Sequence, residues 1–226
     1  MIRDNLIDIN RNIKAALDSS NRSDNVRLIA VSKTKPVSMI KEAYELGCRD
    51  FGENRVQELV EKYDVLPSDI NWHMIGHLQK NKVKYIIDKV KYIHSVDSYE
   101  LAKEINRQAE LKNVDKINIL IEVNVANEDS KFGVKIDDLE QLVKDIVVFP
   151  HLQICGLMTV APYVVNENEN SKYFLNLGQL IVDILSKYID NINVYELSMG
   201  MSNDYKVAIS CGATMIRIGS NLFGDR

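Results

Sequence analysis

The stretch "LIAVSKTKP", Leu28 to Pro36, has the pattern of a buried strand of branched apolar residues that ends in two lysines and a proline. Similar short β-branched runs alternate with longer segments along almost the whole chain. In the longer segments apolar residues recur every three or four positions, which indicates helices. Strands that alternate with helices form right-handed βαβ units, so the sequence predicts an α/β protein with a parallel sheet.

The number of these units indicates how the sheet closes. We predict strands at residues 26–33, 49–52, 71–76, 92–96, 117–125, 152–160, 194–199 and 215–218. Eight strands favour a closed (β/α)8 TIM barrel over an open doubly wound sheet, although 226 residues is short for that fold.

Residues 1–20 precede the first predicted strand. Apolar residues in this segment fall at helical spacing, which predicts an extra amphipathic helix packed on the barrel: Leu6, Ile9, Ile13 and Leu17. Because no Gly/Ser/Pro-rich linker or change of composition divides the chain, we expect a single domain over residues 1–226.

Composition and charge exclude several classes of protein. The 28 basic residues against 32 acidic ones leave a net charge of −4, so nothing indicates a nucleic-acid partner. The amino terminus lacks an apolar signal-peptide core, and no window approaches the roughly 18 apolar residues of a membrane span. Cys48, Cys155 and Cys211 lie far apart without a CxxC pair, which indicates neither a zinc site nor a disulfide framework. We expect a cytoplasmic protein without a metal.

Chemistry in such barrels collects at the carboxyl ends of the strands, where Lys33 ends the first predicted strand. A lysine partly removed from water there has a lowered pKa, and its neutral amine can attack a carbonyl group. Taken alone, Lys33 is more simply read as a surface lysine with a buried stem. Lys35 competes for the role, but it stands beside Pro36, where the chain turns away.

Two segments near the carboxyl terminus have the character of phosphate-binding loops. "LSMGMSND" follows the seventh predicted strand and runs into a helix near Asn203, and "RIGSNLFG" contains the eighth strand. Both offer glycine, hydroxyl groups and backbone N–H donors, and barrels commonly bind phosphate after strands seven and eight. A lysine opposite them suggests a phosphorylated aldehyde. Pyridoxal 5′-phosphate (PLP) fits, and so does the substrate of a sugar-phosphate aldolase.

Six motifs appear in order between Ala30 and Gly224: "AVSKTKP", "FGENRVQE", "WHMIGHLQKNK", "GLMTVAP", "LSMGMSND" and "RIGSNLFG". Together they resemble the pyridoxal phosphate homeostasis protein family, also called the YggS/PROSC family. The resemblance implies a monomeric barrel like the amino-terminal domain of alanine racemase, of PLP fold type III. It also implies a role in keeping free PLP low and available without an established turnover, with PLP-dependent apo-enzymes or PLP-synthesising enzymes as candidate partners.

The resemblance implies a set of cofactor-binding residues and no catalytic ones. Lys33 matches the lysine that forms the Schiff base with PLP, and Arg217 matches the arginine that faces the pyridine nitrogen. By the same resemblance, the phosphate-loop positions are Ser198, Gly219 and Ser220. The neighbours of the ring that it implies are Asn54 and His73. For His73, a hydrogen-bonded histidine inside the barrel is an equal alternative. His77, His94 and His151 share no ligand-like spacing, and we assign them no site role.

The arginine favours a carrier over an enzyme. A guanidinium only donates, so the ring nitrogen that it faces must accept and stay unprotonated, which makes the ring a poor electron sink. The main alternative is an amino-acid racemase, which needs acid/base groups on both faces of the substrate. In alanine racemase one of these is a tyrosine from a second domain of the partner subunit. We expect that domain to be absent, because the chain ends eight residues after Ile218. A barrel that binds phosphate without PLP is a further alternative.

Overall fold

Eight parallel strands close into a barrel in the computed structural model, which describes residues 1–128, 130–185, 187 and 196–224. Each strand pairs with the next one in the chain, and the last pairs with the first. The strands are β1 Arg27–Val31, β2 Asp50–Glu53, β3 Asn71–Met74, β4 Tyr92–Val96, β5 Ile117–Glu122, β6 Leu152–Met158, β7 Glu196–Met201 and β8 Met215–Ile218. The predicted (β/α)8 barrel is therefore confirmed.

Helices cover the outside of the barrel. They are α1 Ile2–Ser19, α2 Val37–Glu45, α3 Val56–Tyr63, α4 Tyr99–Leu111, α5 Ile136–Ile146, α6 Ser171–Leu180, α7 Tyr205–Ser210 and α8 Ser220–Phe223. Short turns of tighter helix occupy Lys80–Tyr85 and Glu167–Asn170, and a wider turn, Ile181–Leu185, continues α6. Within the described ranges, no helix is both long enough and apolar enough to span a bilayer.

The helix expected within residues 1–20 is α1, and it packs on α7 and α8. Its buried face consists of Ile2, Ile9, Ile13 and Ala16. Two amides add polar anchors to this packing. Asn5 Nδ2 donates to the carbonyl oxygen of Leu222 at 3.0 Å, and Asn12 Nδ2 donates to the Tyr205 hydroxyl at 3.0 Å. Helix α1 thus holds the two short helices that flank the last strand. That the chain forms a single domain stays a prediction.

The strands alternate between an apolar outer face and an inner face with many polar groups. Outward residues such as Phe51 and Ile216 belong to the main core under the helices. A smaller apolar cluster consists of Ile29, Tyr92, Leu120, Met158 and Met215. Polar side chains on the strands are also fully or nearly buried: Glu53, His73, His94, Ser198 and Arg217. Buried polar groups need hydrogen-bond partners. His73, His94, Ser198 and Arg217 contact one another, whereas Glu53 accepts from the side chains of Ser32 and Lys62.

Several strands end earlier than predicted. β1 ends at Val31 rather than Lys33, and β6 ends at Met158 rather than Val160. The residues that follow, Ser32 and Lys33 after β1 and Thr159 and Val160 after β6, lie in loops at the carboxyl end of the barrel. Thr34, for example, has a positive φ of 63°, which a strand does not allow. The prediction for the seventh strand began at Val194, and residues 194–195 lie outside the described residues.

Candidate functional site

A cavity of about 1240 Å³ opens at the carboxyl ends of the strands. Loops after β1, β2, β6, β7 and β8 line it. Five of the seven predicted site residues are in its wall: Lys33, Asn54, Arg217, Gly219 and Ser220. His73 and Ser198 are not, because both are fully buried inside the barrel. The cavity therefore brings the lysine, the arginine and the loop after β8 together.

Lys33 lies in a tight turn two residues beyond β1, and a buried ion-pair cluster holds this turn. Ser32 Oγ donates to Glu53 Oε1 at 2.6 Å. Lys62 Nζ donates to the Ser32 carbonyl oxygen and to Glu53 Oε1, at 2.7 Å each. On the far side of Lys33, the backbone N–H of Thr34 donates to the carboxylate of Glu58, which also accepts from Lys62 at 2.8 Å. The residues before and after Lys33 are thus both anchored.

Lys35, the competing lysine, also lines the cavity, but its amine is bound elsewhere. Its Nζ donates to the carbonyl oxygen of Gly224 at 2.7 Å. This contact ties the turn after β1 to the end of α8. Lys35 therefore has a structural use next to the cavity that does not involve a ligand.

Arg217, on β8, is a buried cation in the cavity wall, with 4% of its surface exposed. Nη1 donates to Ser198 Oγ at 2.6 Å, and Nη2 donates to the Thr159 carbonyl oxygen at 2.8 Å. Burial lowers the pKa of this guanidinium to about 10, and the carboxylates of Glu122 and Asp204 oppose that shift. Arg217 is still charged at neutral pH, so the cavity holds a fixed positive charge.

The loops after β7 and β8 meet at Ser202, which we did not single out from the sequence. Ser202 Oγ accepts from the backbone N–H groups of Gly219 at 3.3 Å and Asn221 at 3.5 Å. These contacts are long for N–H···O bonds, so both donors are weakly engaged. The carboxylate of Asp204 orders the first loop, because it accepts from Met201 N at 2.7 Å and Asn170 Nδ2 at 2.8 Å. Backbone donors and hydroxyl groups suited to an anion thus lie beside the cavity.

His73 and Ser198 belong to a hydrogen-bonded row inside the barrel. His94 Nδ1 is 2.9 Å from Ser198 Oγ, and His94 Nε2 is 2.9 Å from His73 Nδ1. His73 Nε2 in turn is 2.9 Å from Asp50 Oδ1. We gave His94 no role from its sequence spacing, yet it links His73 to the residue that holds Arg217. In the described part of the chain, no three His, Cys, Asp or Glu side chains group as metal ligands would.

Asn54 provides a test of whether the cavity fits PLP. Its Oδ1 atom is buried and has no hydrogen-bond partner among the residues that the structure describes. Gly76 packs directly on this residue, since a Cβ there would lie 2.6 Å from the Asn54 carbonyl oxygen. An unpaired buried acceptor in a cavity wall is costly unless a ligand supplies a donor or an ordered water does. With an amine, a guanidinium and loop N–H donors in the same cavity, the residues fit PLP.

Comparison with known proteins agrees with this geometry. The model of the alanine racemase amino-terminal domain family matches residues 5–226. The pyridoxal phosphate homeostasis protein of Aquifex aeolicus is 43% identical over 216 residues, which cover 95% of this chain and 93% of that protein. PipY of Synechococcus elongatus, solved with PLP bound, is 33% identical with a TM-score of 0.84, over 99% of this chain and 100% of PipY.

A more distant likeness concerns the fold alone. An alanine racemase of Clostridium difficile is 17% identical with a TM-score of 0.74, over 100% of this chain and 56% of the racemase. The barrel and its cavity thus define a protein of the alanine racemase amino-terminal domain class. Within that class, the chain belongs to the pyridoxal phosphate homeostasis protein family. The membership predicted from six motifs is confirmed.

Proposed function

We propose that this protein binds PLP in the cavity at the carboxyl end of the barrel and serves PLP homeostasis in the cytoplasm as a carrier or regulator. The observation that carries the proposal is that Lys33 and the buried Arg217 share one cavity. Two further findings support it: relatives are named pyridoxal phosphate homeostasis proteins, and PipY was solved with PLP bound. The three cysteines are free, which agrees with a reducing compartment.

Each residue of the cavity has a proposed part in holding the cofactor. Bound PLP supplies an aldehyde that condenses with an amine, and Lys33 provides that amine in a Schiff base. Arg217 donates to the ring nitrogen. The phosphate contacts come from Gly219 and Ser220, to which we add Ser202. Asn54 lies beside the ring. From their buried positions, Ser198 and His73 act on Arg217 rather than on the cofactor itself.

Covalent capture tests the proposal. We expect the purified protein, incubated with PLP, to absorb light close to the visible range. After borohydride reduction, peptide mass spectrometry should find a pyridoxyl group on Lys33. Lys33→Ala should remove the absorbance, because the amine of Lys35, which remains in this turn, is bound to the carbonyl oxygen of Gly224. Some binding through phosphate contacts should persist.

Lys35→Ala is the matched control, because it removes a neighbouring lysine amine from the same cavity wall. This variant should keep the absorbance and the adduct on Lys33. A pyridoxyl group found on Lys35 and not on Lys33 would contradict the proposal. A protein that stays colourless with PLP but binds inorganic phosphate would favour a PLP-independent phosphate-binding barrel.

We further propose that the bound cofactor is held without amino-acid turnover. Arg217 can only donate to the ring nitrogen and therefore does not supply it with a proton, as a carboxylic acid would. Without that electron sink, loss of the α-proton from an amino acid should be slow. The PLP-loaded protein incubated with L-alanine in deuterated water should show negligible α-deuteration by proton NMR. Rapid exchange that disappears in Lys33→Ala would instead identify a racemase-like enzyme.

A further inference from the structure

A row of hydrogen-bonded side chains crosses the barrel interior from β2 to β8. It runs from Asp50 through His73, His94 and Ser198 to Arg217, with three links of 2.9 Å and a last one of 2.6 Å. His73, His94 and Ser198 have no exposed surface. Asp50, the first residue of β2, keeps 20% of its side chain exposed at the opposite end of the barrel from the cavity. The row therefore connects that end with the cavity wall.

Only one arrangement of protons satisfies every link of this row. Burial alone would raise the pKa of Asp50, but the hydrogen bond with His73 and the positive charges nearby, those of Arg27 and Lys91 among them, together outweigh burial and lower it. A carboxylate only accepts, so His73 Nε2 carries a proton. Burial lowers the pKa of His73 and His94, so each ring is neutral and carries one proton. His73 Nδ1 must then accept from His94 Nε2–H, and His94 Nδ1 must accept from the Ser198 hydroxyl.

This arrangement of protons also determines which atoms face the guanidinium of Arg217. Ser198 gives its single proton to His94, so its oxygen presents only lone pairs to Arg217 Nη1. The Thr159 carbonyl oxygen presents lone pairs to Nη2. Two acceptors at two different nitrogens fix the plane of the guanidinium, which itself cannot accept. All donors in the row point from Arg217 toward Asp50, and the carboxylate at the far end keeps them so.

We propose that Asp50, His73 and His94 are positioning residues that act through Ser198 to hold Arg217 for the ring nitrogen of PLP. This inference rests on the proposed function, because it assigns the row a role toward the cofactor. It also explains why two buried histidines that lie outside the wall of this cavity stand on adjacent strands. The competing explanation is that the row only satisfies buried polar groups and stabilises the barrel.

The proton arrangement can be read without the cofactor. In the cofactor-free protein at neutral pH, ¹⁵N NMR of the histidine rings should show His73 and His94 neutral, each with its proton on Nε2 and a bare Nδ1. Asp50→Asn removes the terminal charge, and the amide can also donate, so the preference for this tautomer should weaken at His73. A cationic ring, or a proton on Nδ1 of either histidine in the unsubstituted protein, would overturn the one-directional row.

The role toward PLP is tested with an analogue in which the ring nitrogen is replaced by C–H, 1-deazapyridoxal 5′-phosphate. If the row acts through Arg217 on the ring nitrogen, Asp50→Asn and His94→Phe should each weaken PLP binding about tenfold, the effect of losing roughly one good hydrogen bond. Binding of the deaza analogue should not change. The ratio of the two dissociation constants, measured by fluorescence titration, is the readout.

His151→Phe is the matched control for His94→Phe, because within the described part of the chain the His151 ring hydrogen-bonds only to the backbone carbonyl oxygens of Val114 and Asp115. It should leave the ratio unchanged. Equal weakening of both ligands in the Asp50 and His94 variants, or of neither, would overturn the proposal in favour of a purely structural row. If His94→Phe fails to fold, Asp50→Asn at the partly exposed end decides the outcome. Failure of the unsubstituted protein to bind PLP would instead refute the proposed function, while the tautomers would still report on the row.

Discussion

Two side chains that never reach the cavity determine where Lys33 stands. Glu53 is fully buried, and burial raises the pKa of its carboxyl group against the opposing hydrogen bonds from Lys62 and Ser32. Lys62 is nearly as buried, with 6% of its side chain exposed. Such a pair is expensive to break on one side only, because the remaining charge is left in the interior without a partner. The turn that carries Lys33 is thus held by a pair whose members depend on each other.

This dependence predicts a non-additive response to substitution. Lys62→Met should lower the free energy of unfolding by about 3–5 kcal/mol, because it leaves the buried carboxylate of Glu53 without its cationic partner. The double variant Glu53→Met with Lys62→Met should be more stable than Lys62→Met alone, because no buried charge remains. Urea denaturation followed by circular dichroism measures both. Lys144→Met, which breaks the exposed pair with Glu140, is the control and should cost less than about 1 kcal/mol. If Glu53→Met is measured as well, a loss in the double variant equal to the sum of the two single losses would show that the two residues do not support each other.

At this scale the sequence pointed to the groups that touch the cavity and missed those behind them. Lys33, Arg217 and Gly219 stand in recognisable motifs at strand ends, and the structure brings them to one cavity. Lys62 stands near the end of an amphipathic helix, where a lysine is ordinarily solvated. Its burial results from contact with the Ser32 carbonyl oxygen, 30 positions earlier in the chain. Hydrophobic periodicity within one helix carries no information about such a contact.

At the scale of single elements, β7 departs from regular alternation. Ser198 pairs with Met215 and Met201 pairs with Arg217, so three steps along β7 oppose two along β8. The extra residue is accommodated near Gly200, which has a φ of 88° and packs so closely that a Cβ would lie 2.5 Å from Ala208 Cβ. Because strand prediction assumes a strict period of two, the sequence could not tell which serine of "SMGMS" reaches the loops.

The irregular strand predicts different effects for its two serines. Ser202→Ala should weaken PLP binding several-fold, on the order of 1 kcal/mol, because a hydroxyl beside the phosphate is lost. It should leave the binding of pyridoxal, which lacks the phosphate, unchanged. Ser198→Ala should weaken both ligands by the same factor, since it loosens Arg217 at the ring. Fluorescence titrations with the two ligands distinguish these patterns, and Ser210→Ala on α7 serves as the control. If instead Ser198→Ala weakened only the binding of PLP and Ser202→Ala weakened both ligands equally, Ser198 would be a phosphate-binding residue.

For the whole molecule, the closed barrel could be predicted because each strand and helix has a recognisable local pattern of apolar residues. β4 and β8 have the predicted bounds, and the other strands begin or end within a few residues of them, apart from residues 194–195, which are not described. The contacts that cross the barrel could not be predicted from the sequence. His94 and Ser198 are separated by 104 positions, and only closure of the barrel puts their side chains 2.9 Å apart. Local patterns therefore predict the scaffold, whereas the groups behind the cavity appear only once the sheet is closed.

Closure also places an acid where it opposes folding at neutral pH. Glu122, at the end of β5, is buried with 7% of its surface exposed. Burial and the nearby charge of Asp97 raise the pKa of its carboxyl group from 4.5 to about 7, against the attraction of Arg217. Between these two values the folded protein binds more protons than the unfolded chain. The free energy of unfolding contributed by Glu122 must therefore fall as the pH rises through this window and stay constant above it.

The size of this contribution can be measured by difference. A pKa change of this extent corresponds to on the order of 3 kcal/mol, which Glu122→Gln should recover because an amide does not ionise. The stability of Glu122→Gln relative to the unsubstituted protein should thus increase from pH 4.5, the unfolded-state pKa, to about pH 7 and then level off. Urea denaturation of the cofactor-free proteins across this range gives the difference directly. The ionisation of the buried histidines contributes equally to the stability of both proteins and therefore does not affect the difference. Glu110→Gln, at an exposed position of α4, should follow the unsubstituted protein at every pH. A stability difference for Glu122→Gln that does not vary with pH would show that this carboxyl group ionises as easily in the barrel as in water.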